Sequence, residues 1–193
     1  MMNTRNHPNR SAMHEQVAAL EHITQRLEQA GIPYMLSGSN AMNYYAQPRM
    51  TRDIDLVVEI QAVDTARLWM RLGEDYYFDE EAAQTAIQHE SLFNLLHHAS
   101  LVKIDCIVRK SHPYRRLEFS RRRRVDFGGF PVWIVSPEDL LLSKLDWLKE
   151  SRSEMQFKDI RNLIDSVPQL DWLYLGHWAE RLGILSLLEE ARS

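Results

Sequence analysis

Residues 53–60 read Asp-Ile-Asp-Leu-Val-Val-Glu-Ile, and the fold follows from this stretch. Apolar residues alternate with the first two acids, which is typical of a strand, because successive side chains of a strand point to opposite faces. Asp53 and Asp55 therefore share one face, where like charges repel and strands are poorly stabilised. A solvated sheet edge would relieve this repulsion, and so would a divalent cation between the two acids. The apolar residues that follow favour a central strand.

A third acid fits the same pattern in residues 101–109, which read Leu-Val-Lys-Ile-Asp-Cys-Ile-Val-Arg. Lys103 and Asp105 fall on one face of this predicted strand, and apolar side chains fall on the other. If the strand lies next to residues 53–60, three carboxylates meet on one face with Lys103 close by. The alternative is that Asp105 forms a surface ion pair with Lys103 or with Arg109.

The remaining pattern predicts an α+β protein, with a mixed sheet flanked by helices and an all-helical carboxyl-terminal part. We expect a core over residues 1–135 and a helical subdomain over residues 136–193. Helical spacing and end signals indicate helices near 12–30, 40–46, 62–72, 153–166, 169–181 and 184–192, and one that begins at Ser136-Pro137. Strand composition indicates strands near 34–37, 53–60, 91–97 and 101–109, and a hairpin formed by 122–126 and 131–135.

The composition is that of an ordinary globular chain, but its charge is unevenly distributed. The net charge is −4, yet residues 115–124 contain six arginines and one glutamate, a charge of +5, so the rest carries −9. The run Arg121–Arg124 could meet a triphosphate or RNA, and a solvated hairpin strand is the alternative. The single cysteine, Cys106, excludes an internal disulfide and a cysteine-rich metal site. With no long apolar run, we expect a cytoplasmic protein that does not contact a membrane.

A short turn precedes the acid pair. Gly38 and Ser39 follow the predicted strand near 34–37, with Ser39 and Asn40 as candidate capping residues for the next helix. Turns of this kind expose backbone N–H groups and the positive end of a helix dipole, and they bind phosphate. Gly-Ser alone is a weak signal, because turns need glycine for other reasons.

Taken together, these residues resemble the nucleotidyltransferase fold of the DNA polymerase β superfamily. The superfamily pattern is Gly-Ser at a strand–helix turn, then an acid–apolar–acid strand and a separate third acid. Here Gly38-Ser39 is followed, after thirteen residues, by Asp53-Ile54-Asp55, and Asp105 lies on a later strand. Residues 49–56, Ser136–Leu140 and Lys144-Leu145 are more specifically similar to the AbiEii-type branch and its uncharacterised relatives.

The resemblance implies a metal-dependent site. Asp53 and Asp55 would hold two Mg²⁺ (or Mn²⁺) ions, and Asp105 would complete the metal on the acceptor side. The Gly38 N–H and Ser39 would hold the triphosphate of an NTP. By analogy, Asp105 would help to take the proton from the acceptor.

The resemblance also implies roles for residues outside the acid row. Arg49 and Thr51, in the loop before the acids, and Lys144 are candidate phosphate-binding residues. The alternative for Lys144 is a lysine at the edge of the core with its amine in solvent. Relatives often carry a Lys-Asp-x-x-Asp string in which Asp159 would be the second aspartate, but Gln156 stands at the first. Asp159 is therefore a possible site residue, with a capping or ion-pairing acid as the alternative.

Two functions follow from this pattern. The first is an enzyme that transfers a nucleoside monophosphate from an NTP to a hydroxyl group of RNA or tRNA, as AbiEii-like toxins do, or of a small molecule. Such a protein could belong to a toxin–antitoxin pair, with a cognate antitoxin or another protein as its partner. The second is a non-catalytic module that binds a nucleotide or a partner on the same fold. Tyr44, Tyr45 and Trp147 are expected to pack in the core rather than to stack on a base.

Overall fold

A mixed sheet of seven strands runs through the part of the chain that the structure, a computed structural model, describes: the backbone of residues 8–193. The side chains of 13–149 and 151–193 are described with it. The strands are β1 (Tyr34–Leu36), β2 (Asp53–Val58), β3 (Tyr76–Tyr77), β4 (Leu92–His97), β5 (Lys103–Val108), β6 (Arg123–Asp126) and β7 (Pro131–Ile134). Their spatial order is β3-β4-β5-β2-β1-β7-β6.

The centre of the sheet is formed by β5, β2 and β1. Strands β2 and β5 run parallel and in register, so that Asp53 lies opposite Lys103 and Asp55 opposite Asp105. Strand β1 pairs antiparallel with β2 on one side and parallel with β7 on the other. The two acid-bearing strands are therefore neighbours, which is the condition on which the three carboxylates share one face.

Helices surround this sheet, as predicted for an α+β protein. Over residues 8–193 they are α1 (Pro8–Gln29), α2 (Gly38–Tyr45), α3 (Thr65–Leu72), α4 (Glu80–Gln88), α5 (Pro113–Ser120), α6 (Pro137–Ser151), α7 (Glu154–Ser166), α8 (Trp172–Leu182) and α9 (Leu185–Arg192). Short 3₁₀ turns cover Ala62–Asp64 and Gly73–Asp75. Strand β3 and helices α4 and α5 were not predicted. The helices after residue 136 are confirmed, while a domain boundary at that point stays a prediction.

The local signals for helix ends are partly confirmed. The Ser136 hydroxyl accepts a hydrogen bond from the Asp139 N–H at 3.1 Å and caps α6, as predicted. The prediction that Ser39 or Asn40 caps α2 is wrong, because the extended residue before the helix is Ser37. Helix α2 therefore begins at Gly38 and includes both candidate caps.

Apolar side chains from the sheet and from most of the helices form one core. In β2 and β5 the even-numbered residues are buried and the odd-numbered ones are half exposed. Helices α6 and α7 pack against each other and against α2, which itself packs on β2. None of the helices in the described part has the length and apolar content that a bilayer span needs.

The side chains of the run Arg121–Arg124 contact acidic and aromatic side chains of the fold. The Arg121 Nε donates to the buried Asp139 at 2.9 Å, and its guanidinium lies 4.0 Å from the centroid of the Tyr174 ring. The guanidinium of Arg122 lies over the rings of Phe119 and Trp133. The other two arginines approach Glu138 and Glu28 at 3.6 Å and 3.8 Å. Most of the +5 charge thus has a structural partner.

Candidate active site

The first two odd-numbered side chains of β2 and of β5 form a polar row on one face of the sheet. Asp53 and Asp55 come from β2, and Lys103 and Asp105 come from β5. Because Asp55 and Asp105 are register partners on adjacent strands, their backbones are about 4.8 Å apart. The structure therefore brings the three predicted carboxylates together, with Lys103 beside Asp53.

Lys103 neutralises one end of this row. Its Nζ donates to Oδ2 of Asp105 at 3.1 Å and lies 2.9 Å from Oδ1. Oδ1 is buried, yet it accepts no hydrogen bond of good geometry from the described residues. The alternative of a Lys103–Asp105 ion pair is thus confirmed, but it leaves one carboxylate oxygen unsatisfied on the acid row.

Asp55 lies at the centre of the row, in contact with the turn before α2. Gly38 has a positive φ of +59°, and a Cβ built on it would lie 2.8 Å from the Cβ of Asp55 and closer to its carboxyl group. Only glycine allows the turn this close. Burial raises the pKa of Asp55, the charge of Asp105 raises it further, and the backbone N–H of Ser39 opposes the shift.

Hydrogen bonds fix the turn against β2. The Ser37 N–H donates to the Asp55 carbonyl at 2.9 Å, and the buried side-chain amide of Asn40 donates to the Asp53 carbonyl at 2.9 Å. The first residues of α2 therefore keep a constant position relative to both acids. The N–H groups at this end of α2 lie beside Asp55, and that of Ser39 donates to its carboxylate.

Arg49, Lys144 and Asp159 form a second cluster. Arg49 donates from Nε and Nη2 to the two carboxylate oxygens of Asp159, each at 3.0 Å, and from Nη2 to the Ser39 hydroxyl at 2.8 Å. The Lys144 Nζ donates to Asp159 at 2.9 Å and to Gln156 at 3.4 Å. Two cations thus share one carboxylate, which leaves a formal charge of +1 next to Ser39.

Asp159 is anionic in this environment. Burial favours its neutral form, but the hydrogen bonds and charges of Arg49 and Lys144 outweigh burial and hold the pKa below its usual range. The alternative that Asp159 is an ion-pairing acid is confirmed, and the amine of Lys144 is buried against it rather than in solvent. Whether phosphate binds to either cation stays a prediction.

The side-chain amides of Asn43 and Gln16 hold the loop before β2 in place. Asn43 accepts from the Arg49 N–H at 2.9 Å and donates to the Arg49 carbonyl at 2.8 Å. The Thr51 hydroxyl donates to the Asp53 carbonyl at 3.4 Å, and the Gln16 amide donates to the Thr51 carbonyl at 3.2 Å. Thr51 faces a groove formed with α1 and the turn before β5, and not the cavity described next.

A cavity of about 250 Å³ contains Asp55 of the acid row and Lys144 of the second cluster, whereas Arg49 lines the same groove as Thr51. The cavity is lined by the turn of residues 37–39, by Asp55 and by side chains of β5, α6 and α7. Its lining from these three elements consists of Ile107, Leu140, Ser143, Lys144, Trp147 and Gln156. An anion in this space would meet helix N–H groups and a lysine together.

The acid row is chemically suited to Mg²⁺, although it is not a preformed metal site. Among residues 8–193, no three His, Cys, Asp or Glu side chains already converge as a ligand set. The row instead shows what an added cation would correct: mutual repulsion of carboxylates and the unsatisfied Oδ1 of Asp105. Carboxylate oxygens are the ligands that Mg²⁺ and Mn²⁺ prefer. The residues present therefore fit the expected metal.

Comparison with known families agrees with this geometry. The whole chain, residues 1–193, matches the family described as "Uncharacterised nucleotidyltransferase". The chain belongs to this family. No curated protein sequence matches it.

Solved structures establish the nucleotidyltransferase fold. An antigenic nucleotidyltransferase-like protein from Paracoccidioides brasiliensis is 20% identical, with a TM-score of 0.61 over 81% of this chain and 77% of that one. The antibiotic-resistance factor ANT(2'')-Ia is 17% identical, with a TM-score of 0.54 over 92% of each chain. The lincosamide antibiotic adenylyltransferase LnuA is 17% identical, with a TM-score of 0.53 over 78% of this chain and 97% of that one.

Two asparagines of the candidate site make contacts that the sequence did not indicate: Asn43 had no expected role, and Asn40 was expected only as a capping residue. Asn40 and Asn43 position the acids and Arg49 through backbone contacts, and an asparagine in a short helix gives no signal of this. Trp147 was predicted to pack in the core, and that prediction is wrong: its side chain is 66% exposed at the cavity. Tyr45 does pack against the core, where its hydroxyl donates to the Val135 carbonyl at 2.7 Å, whereas Tyr44 is also exposed.

Proposed function

We propose that this nucleotidyltransferase moves a nucleoside monophosphate from an NTP to a hydroxyl group, with Mg²⁺ or Mn²⁺ as its cofactor. The observation that carries the proposal is the contact between Gly38 and Asp55 in the middle of the row Asp53, Asp55 and Asp105. This reaction needs a phosphate-binding turn and a metal-binding acid row at the same point, and the pairing of β1 with β2 brings them there.

The acid row has a defined task in this reaction. Asp53 and Asp55 would hold the metal ions, and Asp105 would complete the ligand set on the acceptor side. The bound metal supplies charge stabilisation for the triphosphate and for the attacking oxygen. The acceptor oxygen forms a bond to the α-phosphorus while the bond to the pyrophosphate oxygen breaks. The hydroxyl proton passes to a carboxylate, for which Asp105 is the candidate.

The cation cluster would hold the triphosphate. The N–H groups at the start of α2 and the Ser39 hydroxyl face the cavity, and Lys144 lines it from α6. Arg49 lies behind Ser39 and fixes the hydroxyl with a 2.8 Å hydrogen bond. Asp159 keeps both cations in position before the nucleotide arrives, so that little side-chain entropy is lost on binding.

For the acceptor, the proposal is that it carries the hydroxyl group that is modified. LnuA is described as lincomycin-bound, and ANT(2'')-Ia as a complex with adenylyl-2''-tobramycin, so small molecules serve as partners on this fold. RNA is the other candidate. The motif of residues 49–56 is what supports an AbiEii-type branch, a toxin role and an antitoxin partner. Residues 1–135 would then form the transferase core and residues 136–193 a helical subdomain that contributes Lys144 and Asp159.

The test uses each radiolabelled NTP with Mg²⁺ and with either total RNA or an aminoglycoside and lincosamide mixture. The wild-type chain is compared with Asp53→Asn/Asp55→Asn, and Asp165→Asn, an exposed acid near the end of α7, is the matched control. We expect label transfer by the wild type and the control, and at least a hundredfold less by the double variant. NTP binding without transfer to any acceptor would instead favour the non-catalytic module.

A further inference from the structure

Trp147 differs from the other tryptophans of the chain in its surroundings. Trp69, Trp133, Trp172 and Trp178 are partly buried and pack against the core. Trp147 is 66% exposed and lies on α6 at the cavity that also contains Gly38, Ser39 and Asp55. An exposed indole ring at the edge of a polar cavity offers a flat apolar face to whatever binds there.

The position of Trp147 follows from helix spacing. It lies three residues after Lys144 and four after Ser143, and residues at these spacings share one face of a helix. All three side chains line the cavity. Because Trp147 comes one turn after Lys144, it lies about 5 Å further along α6 than the cation.

The lining of the cavity therefore combines different kinds of chemical group. Around residues 37–39 the lining offers N–H and hydroxyl groups and the carboxylate of Asp55. Helices α6 and α7 and strand β5 add the Lys144 ammonium, the Trp147 ring, the Gln156 amide and the apolar Ile107. A ligand that fills this space needs an anionic group and a flat, polarisable group, and a nucleotide has both.

We propose that Trp147 is the platform on which the base of the NTP stacks. The inference rests on the proposed function and deepens it, because it assigns the base end of the nucleotide to α6. Stacking tolerates every base, since each has a π-face. The Gln156 amide stands beside the platform, where its oxygen already accepts from Lys144 at 3.4 Å and its NH₂ group can reach a base edge.

An exposed tryptophan can also belong to a protein interface. The cavity argues for the nucleotide, because a partner surface covering Trp147 would close the same space in which Lys144 and Ser39 lie. The two possibilities predict different results for nucleotide binding, so one experiment separates them.

The experiment measures binding of each NTP and of inorganic tripolyphosphate, both with Mg²⁺, by titration calorimetry. The variants are Trp147→Ala and Trp147→Phe, and Tyr77→Ala is the matched control, because Tyr77 is equally exposed on the edge strand β3. We expect Trp147→Ala to weaken NTP binding at least fivefold and to leave tripolyphosphate binding unchanged. Trp147→Phe and Tyr77→Ala should stay within twofold of the wild type.

Other outcomes overturn the proposal in distinguishable ways. If Trp147→Ala binds NTP as tightly as the wild type, the platform is wrong while the proposed function stands. If Trp147→Ala weakens tripolyphosphate binding as much as NTP binding, Trp147 is a structural residue. If the wild type binds neither ligand, the proposed function fails and the platform with it.

Discussion

The guanidinium of Arg49 binds both carboxylate oxygens of Asp159, 110 residues further along the chain. This contact joins the loop before β2 to helix α7. Since Lys144 shares the same carboxylate, the loop, α6 and α7 meet at one buried charge. The helices after residue 136 therefore take part in the site.

Replacing Asp159 should destabilise the fold. The side chains of Lys144 and Asp159 are only 7% and 6% exposed, so Asp159→Asn leaves a buried ammonium without its counter-ion. Breaking one partner of such a pair costs about 3 kcal/mol. Urea unfolding at pH 7 measures the loss, and Asp165→Asn should change the free energy of unfolding by less than about 0.5 kcal/mol. Equal stability of the two variants would contradict the buried pair.

The same contact predicts a pH dependence. The pKa of Asp159 is lowered in the folded state, so its contribution is present above the unfolded value of about 3.9 and is lost as pH falls through the folded pKa. The stability difference between wild type and Asp159→Asn should be constant from about pH 7 to pH 5 and shrink below about pH 4. Urea unfolding across this range tests it, and a difference that grows towards acid pH would exclude the assignment.

Gly38→Ala should be more harmful than glycine replacement elsewhere. The new Cβ would collide with Asp55, in addition to the strain of a positive φ. Gly183 is the control, because its φ is +68° with the left-handed helical ψ of +35°, and a Cβ there meets nothing within 4 Å. We expect Gly38→Ala to lose about 2 kcal/mol more than Gly183→Ala, and to lose NTP binding as well. Equal losses would show that backbone strain alone matters.

Removing Lys103 should strengthen divalent-cation binding. Its ammonium occupies Asp105 and opposes a second cation on the same row. Lys103→Met should therefore bind Mn²⁺ more tightly, on the order of tenfold at low salt. Electron paramagnetic resonance of free Mn²⁺ measures this. Lys149→Met, which removes an equally exposed lysine from α6, should leave the affinity unchanged, and weaker binding by Lys103→Met would contradict the competition.

Asp55→Asn should stabilise the chain in the absence of metal. Burial and the charge of Asp105 disfavour the Asp55 carboxylate, so a neutral isostere removes a repulsion of about 1 kcal/mol. Thermal unfolding with EDTA should show the higher Tm for the variant. Added Mg²⁺ should raise the Tm of the wild type more than that of the variant. A variant less stable than the wild type in EDTA would show that the row is not repulsive.

The sequence predicts the acid row well because a strand has a strict period of two. Once residues 53–58 and 103–108 are recognised as strands, the shared face of Asp53, Asp55 and Asp105 follows from the pleat alone. The register that sets Asp55 against Asp105 depends on long-range pairing. The sequence therefore predicts the complete acid row only on the condition that the two strands pair.

Other features depend on tertiary contacts that leave no local pattern. Helix α5 has the sequence Pro-Tyr-Arg-Arg-Leu-Glu-Phe-Ser, in which few apolar residues mark a buried face. Its buried Glu118 is instead satisfied by the Ser143 hydroxyl and by Arg115, which come from α6 and α5. Trp147 is different, because it lies off the helical stripe of the buried Leu141, Leu145 and Leu148, so helical spacing already indicates its exposure.

The order of the strands gives the arginine run a different meaning. Strand β6 lies at the end of the sheet, where unpaired N–H and C=O groups could recruit another chain. Arg123 and Arg124 lie on this four-residue strand with about half of each side chain in solvent, and the opposite end of the sheet is closed by the two-residue strand β3. Charges on a short edge disfavour intermolecular β-pairing. Two arginines of the run that could have met a nucleic acid thus lie where charge disfavours edge-to-edge association.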